Sequence, residues 1–163
     1  MVTAPLLRVR VEGMEDLEVL ASMLQDSLTP ISEINYQFEP GRFLLMAQRF
    51  CWERLGLKQS STSCNSNVSE VRSVRRDSMK RIVCVITVEG VEFVQVQGLD
   101  LMNRGQVLNF LTFQFNGQHL DLLFSGNKTI RLIVTCLSIF AEDIGRPWPT
   151  SQRPNHQDTE YDC

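Results

Sequence analysis

Ile34-Asn35-Tyr36-Gln37-Phe38, then Glu39-Pro40-Gly41-Arg42, then the run from Phe43 to Trp52, is the stretch whose reading decides the fold. Ile34, Tyr36 and Phe38 alternate with Asn35 and Gln37, the two-residue period of a strand with one buried face. Pro-Gly supplies a turn, and the apolar run beyond it returns as a longer partner strand. This is a hairpin, and it sets an antiparallel theme for the rest of the chain.

Upstream, the period changes. After Gly13, residues Met14, Leu17, Leu20, Ala21, Leu24 and Leu28 recur at steps of three and four, which describes an amphipathic helix of about four turns. Glu15 and Asp16 fall in its first turn, where the helix dipole favours negative charge, and Thr29-Pro30 ends it. Its polar face is acidic, so it packs on a sheet rather than lying on a membrane. Downstream, residues 81–88 and 91–96 are β-rich runs around Glu89-Gly90, read as a second hairpin. Leu120, Leu122 and Phe124 lead through Ser125-Gly126-Asn127-Lys128 into Ile130, Leu132, Val134 and Cys136, a third hairpin.

These elements predict an α+β fold: an N-terminal helix packed on a mostly antiparallel sheet or half-barrel of about seven strands, ending in a short C-terminal helix or arm. The alternative is a PH-like barrel, with residues 139–144 as the closing segment. An internal duplication is also suggested. Val11-Glu12-Gly13-Met14-Glu15 matches Val96-Gln97-Gly98-Leu99-Asp100, with residues 101–110 as a second helical stretch.

With 163 residues, 43% of them hydrophobic, the chain has material for one core and not two, so residues 1–150 are read as a single domain and 151–163 as a tail. No apolar run approaches the roughly 20 residues of a membrane helix, and the N-terminus lacks the features of a signal peptide. Cytoplasmic localisation, with no membrane partner, is the expectation. Residues 58–78 are rich in Ser, Thr and Asn, lack aromatics, and are read as a mobile polar insertion. Residues 54–81 hold seven basic side chains against two acids, a balance of +5 in a chain of net −3, which leaves −8 for the remainder. Arg72, Arg75 and Arg76 are the nucleic-acid candidates within it. No aromatic residue interleaves them to stack on bases, which favours a solvated insertion.

Five cysteines, Cys51, Cys64, Cys84, Cys136 and Cys163, show neither a disulfide pattern nor zinc-ligand spacing. Cys51, Cys84 and Cys136 lie in apolar runs and are read as reduced, buried thiols. His119 and His156 stand apart from any nucleophile. Phosphate loops, nucleophile elbows and metal-binding helices are missing from the sequence. No catalytic residue, metal or cofactor is therefore assigned. Two stretches stand out: Gln48-Arg49-Phe50-Cys51-Trp52-Glu53 and Asp143-Ile144-Gly145-Arg146-Pro147-Trp148-Pro149. Both place tryptophan beside charge. If they meet, Arg49 would pair with Asp143 or Glu142 and Arg146 with Glu53, since buried charges require partners. Arg49, Trp52, Asp143, Arg146 and Trp148 are the ligand-binding candidates, set against a purely structural cluster.

The helix ending Leu24-Gln25-Asp26-Ser27-Leu28, the Arg49-Phe50-Cys51-Trp52-Glu53 strand end, the Gly126 hairpin and the 143–149 stretch with Pro154 and His156 resemble a family of small alphaproteobacterial proteins classed as a domain of unknown function. The resemblance runs from about Leu6 to His156 and implies no activity. It also implies a shorter connection after Trp52-Glu53, making the insertion peculiar to this chain. A non-enzymatic cytosolic interaction or scaffold protein, with an unidentified protein partner or a second copy of itself, ranks first. A small-molecule binder or enzyme comes second and a nucleic-acid accessory third.

Overall fold

Along Arg42–Phe50 every second side chain is buried, beginning Phe43, Leu45, Ala47 and Arg49, while the intervening positions are half-exposed until Phe50. The computed structural model describes residues 6–54 and 79–151. Among them are ten strands and one α-helix: β1 (Arg8–Val11), α1 (Met14–Leu24), β2 (Leu28–Pro30), β3 (Ile34–Gln37), β4 (Arg42–Phe50), β5 (Lys80–Glu89), β6 (Val91–Gln97), β7 (Val107–Phe115), β8 (His119–Phe124), β9 (Lys128–Val134) and β10 (Ile139–Pro149). Short 3-10 turns occupy Ile31–Glu33 and Trp52–Arg54. The α+β class stands, with a larger sheet than the expected seven strands. The strands missed are the short β2, the charged β1, and two longer ones, β7 and β10, whose residues were expected in a helical stretch and a closing segment.

The sheet is open and follows the order β1-β10-β5-β4-β2-β7-β8-β9-β6, with β3 also paired to β4. Every pairing is antiparallel. The first and third hairpins are present as read, β3 with β4 and β8 with β9. The second is not a hairpin. β5 pairs with β4 and β10, whereas β6 pairs with β9, so the chain does not fold back at Glu89-Gly90 but bends from one limb of the sheet into the other. Residues 80–97 thus run beside residues 149–129 as one long bent ribbon, from Lys80↔Pro149 to Gln97↔Thr129. Gly90 sits at the bend with φ +70°, and a Cβ there would fall 2.5 Å from the Thr135 hydroxyl. Any other residue would meet both this positive φ and the Thr135 side chain just past β9.

Both limbs feed one core. Leu45, Ile86, Val88 and Ile139 from the first limb join Phe110, Leu122, Ile130 and Leu132 from the second, with Leu17, Leu20 and Leu24 of α1 beside them. Each of these fully buried leucines removes enough apolar surface from water to contribute about 1.5–3 kcal/mol. The helix is one turn shorter than the periodicity indicates. Asp26 adopts a left-handed conformation (φ 61°), the chain turns, and Leu28 enters β2 instead of completing the helical stripe.

Three further expectations are corrected. Residues 101–106 form turns and residues 107–115 a strand, so the second helical stretch on which the duplication rested is absent. Residues 139–149 form a strand inside the sheet, so residues 139–144 are not a closing segment. The PH-like barrel fails on both counts, because the sheet is open and its closing segment is a strand.

Candidate functional site

At the far end of the first limb the core face changes from apolar to ionic. Ala47, Cys84 and Asp143 lie in register across β4, β5 and β10, and Arg49 occupies the next inward position, opposite Ile82. The small side chains of Ala47 and Cys84 leave room for the guanidinium to reach across β5. Arg49 is 1% exposed, yet it donates through Nε to Asp143 Oδ1 (2.7 Å) and through Nη2 to Asp143 Oδ2 (2.6 Å). Glu53, in the 3-10 turn just past β4, accepts from Nη2 at 2.8 Å and from Nη1 at 3.1 Å, and the Phe50 carbonyl accepts from Nη1 at 3.4 Å. All five guanidinium N–H groups therefore face protein acceptors. Asp143 Oδ2 also accepts the Leu7 backbone N–H at 2.8 Å, which ties the segment before β1 to β10.

The electrostatics follow from burial and pairing. Desolvation works to lower the Arg49 pKa, but its hydrogen bonds and charge interactions with Asp143 and Glu53 outweigh it, and the group is held more firmly protonated than free arginine. Burial likewise pushes Glu53 up, and the bonds from Arg49 bring it below the usual glutamate range. The Cys84 thiol is pushed up to about 12, first by burial and then by the neighbouring Asp143 charge, so it is a poor nucleophile.

The opposite face of the same strand ends carries a second buried cation. Arg81 lies between Phe50 on β4 and Trp148 on β10 in register. Its Nη1 donates to the Gln48 carbonyl at 2.8 Å and the Asp26 carbonyl at 3.3 Å, and its guanidinium sits 5.9 Å from the Phe50 ring centre. Burial lowers its pKa, opposed by the nearby Asp26 carboxylate. The Trp52 ring packs on Phe50 with centroids 4.5 Å apart, and its indole N–H is buried without a partner among the described residues. The two tryptophan stretches thus reach the same end of the sheet, with Phe50 and Arg81 between them.

Of the expected ion pairs, Arg49 with Asp143 forms and Arg146 with Glu53 does not. Glu53 is taken by Arg49 four residues earlier, while Arg146 is exposed in the irregular stretch of β10 between Ile144 and Trp148. Arg49 and Asp143 meet inside the protein and Arg146 stands apart from them. Arg72, Arg75 and Arg76 lie outside the described residues, as does the 58–78 insertion. Arg81, counted with that basic stretch in sequence, is instead a buried member of β5. Cys51 and Cys84 are buried as expected, whereas Cys136 falls in the turn after β9 and is exposed. His119 faces Asn116 at 3.1 Å on the surface. No cluster of three potential metal-ligating side chains occurs among the described residues, and no helix among them is long and apolar enough to cross a membrane.

A family described as "Protein of unknown function (DUF2948)" matches residues 7–156, the span that holds the whole sheet and every residue of the ionic cluster. The chain belongs to this family. No curated protein and no solved structure matches it. Residues that the sequence did not single out lie on the outer face of the β1-β10-β5-β4 limb, where Arg10 and Arg42 border a groove. No motif marks them, because strand pairing alone brings four separate segments into one row.

Proposed function

We propose that this chain is a non-enzymatic interaction protein of the bacterial cytoplasm that assembles by strand addition at β6, its partner being a second copy of itself. The observation that carries the proposal is the contrast among the three described strands paired on one side only, β1, β3 and β6, of which β3 has four residues. β1 is four residues long and bears Arg8 and Arg10, a short charged edge of the kind that resists pairing. β6 is seven residues long and carries one charge, Glu92, with Phe93 58% and Val96 42% exposed. Its first two residues are held from the outer side, Val91 N–H by the Gly41 carbonyl and the Val91 and Glu92 carbonyls by the Tyr36 hydroxyl, and from Phe93 to Gln97 it offers an unpaired edge beside uncovered apolar side chains.

Charge placement suits a two-fold antiparallel pair. Centred on Val94, such a pair sets each Glu92 opposite Val96 of the other copy, and the two carboxylates stand about 14 Å apart along the strands, beyond the Debye length of physiological salt. The ionic cluster supports a structural rather than catalytic role, since its guanidinium is fully engaged by protein acceptors. The cytoplasmic assignment draws on Cys136, an exposed free thiol suited to a reducing compartment. Bacterial origin rests on the resemblance alone.

Light scattering and sedimentation of the full chain across a concentration series test the reading. A dimer is expected, and Phe93→Lys with Val96→Lys should shift it to monomer while circular dichroism and the melting temperature of the monomer stay unchanged. A wild type that remains monomeric, or a dimer indifferent to both lysines, overturns it.

A further inference from the structure

We propose that the outer face of the β1-β10-β5-β4 limb holds a site for a small organic anion, a carboxylate or phosphate on an apolar body, between Arg10 and Arg42. The groove has a volume of about 300 Å³. That is the lower end of the range for small-molecule pockets. Register builds it. Arg10 pairs with Phe140, Phe140 with Thr87 and Thr87 with Leu44, a single row across four strands, and Arg42 opposite Glu89 closes one end.

The donor inventory points to an anion. Arg10 spends Nε on Glu12 at 2.9 Å, leaving its terminal nitrogens for the groove. Arg42 makes one long contact, Nη2 to Glu89 at 3.4 Å, and its Nε is buried with no hydrogen-bond partner among the described residues. The single long contact to Glu89 leaves the other terminal N–H groups of Arg42, rather than the enclosed Nε, for an incoming oxygen. The hydroxyls of Thr87 and Ser138 line the same groove and find no protein partner among the described residues. Leu44 and Phe140 supply an apolar floor. Guanidinium forks match the oxygen spacing of carboxylate and phosphate alike, so the shared chemistry is an oxyanion on a ring-sized apolar group. The site uses no residue of β6 and stands independently of dimerisation.

Calorimetric titration of the full chain with benzoate, phenyl phosphate and inorganic phosphate, with amide shifts followed at Thr87, Ser138 and Phe140, tests the site. Saturable binding of benzoate or phenyl phosphate is expected, weakened about tenfold by Arg42→Gln, the loss of a charge-assisted hydrogen bond, and weakened also by Arg10→Gln. Glu89→Gln should tighten binding, because it removes a competing carboxylate and frees Arg42. Arg104→Gln, in the exposed turn after β6, should leave it unchanged. Saturation by neither organic anion overturns the site. Equal weakening by the Arg104 and Arg42 variants would reduce it to diffuse surface charge, and inorganic phosphate binding as tightly as phenyl phosphate would remove the apolar floor from it.

Discussion

Arg49 occupies a β4 position that strand alternation reserves for an apolar side chain, and it is tolerated there because Asp143 and Glu53 engage the whole guanidinium. Removing one member of such a pair strands the other in the core. Arg49→Met should therefore cost about 3–5 kcal/mol of unfolding free energy. Adding Asp143→Leu should restore part of that loss, but not all, since Leu7 N–H loses its acceptor. Denaturant midpoints of the single and double variants measure both, and an unchanged midpoint for Arg49→Met would refute the buried pairing. Glu53 adds a pH dependence of known sign. Its folded pKa lies below its unfolded value, so its contribution is complete above the ordinary glutamate pKa of about 4.3 and is lost as pH falls through the lower folded value. Urea midpoints should fall as pH drops below about 4, and Glu53→Gln should flatten the part of that fall due to this carboxylate. Identical acid profiles for the two proteins would contradict the assignment.

Strand order explains what could and could not be read in advance. The hairpins at Gly41 and Gly126 were legible because each closes between consecutive strands, so the pairing information is local. The bend at Gly90 carries the same local signal, a β run, a glycine and a second β run, but its outcome is decided by β9 and β10, some forty to fifty residues further on. Leu28 continued the helical period in sequence, and one left-handed residue, Asp26, placed it in a strand. At the ionic cluster, Arg49 with Asp143 was legible because a charge inside an apolar strand demands a distant partner. Arg146 with Glu53 was not, because the 3-10 turn at Trp52–Arg54 returns Glu53 to Arg49 locally. The groove between Arg10 and Arg42 left no trace in the sequence. Its residues come from four strands whose adjacency depends on β10 entering between β1 and β5.

For the molecule as a whole, the bent ribbon of β5-β6 against β10-β9 joins the two limbs, and its stability should be uneven along its length. β5 is paired on both sides, with β4 from Arg81 to Glu89 and with β10 over most of the same span, and its inward residues Cys84, Ile86 and Val88 are buried. Opening those amides requires dismantling the shared core, so they should exchange with solvent only through global unfolding. β6 belongs to the same ribbon but past Val91, whose N–H is held by the Gly41 carbonyl, has β9 on one side alone, and its outward amides from Phe93 to Gln97 should exchange quickly in a monomer. β1, at the opposite end of the strand order, should behave likewise. Self-association through β6 breaks this symmetry. Hydrogen exchange measured at rising protein concentration should slow the outward amides of residues 93–97 and leave those of residues 8–11 fast, while β5 stays at the slow limit throughout. Edges that respond alike would dismiss β6 as the interface, and β5 amides exchanging as fast as the edges would contradict the pairing that holds the two limbs together.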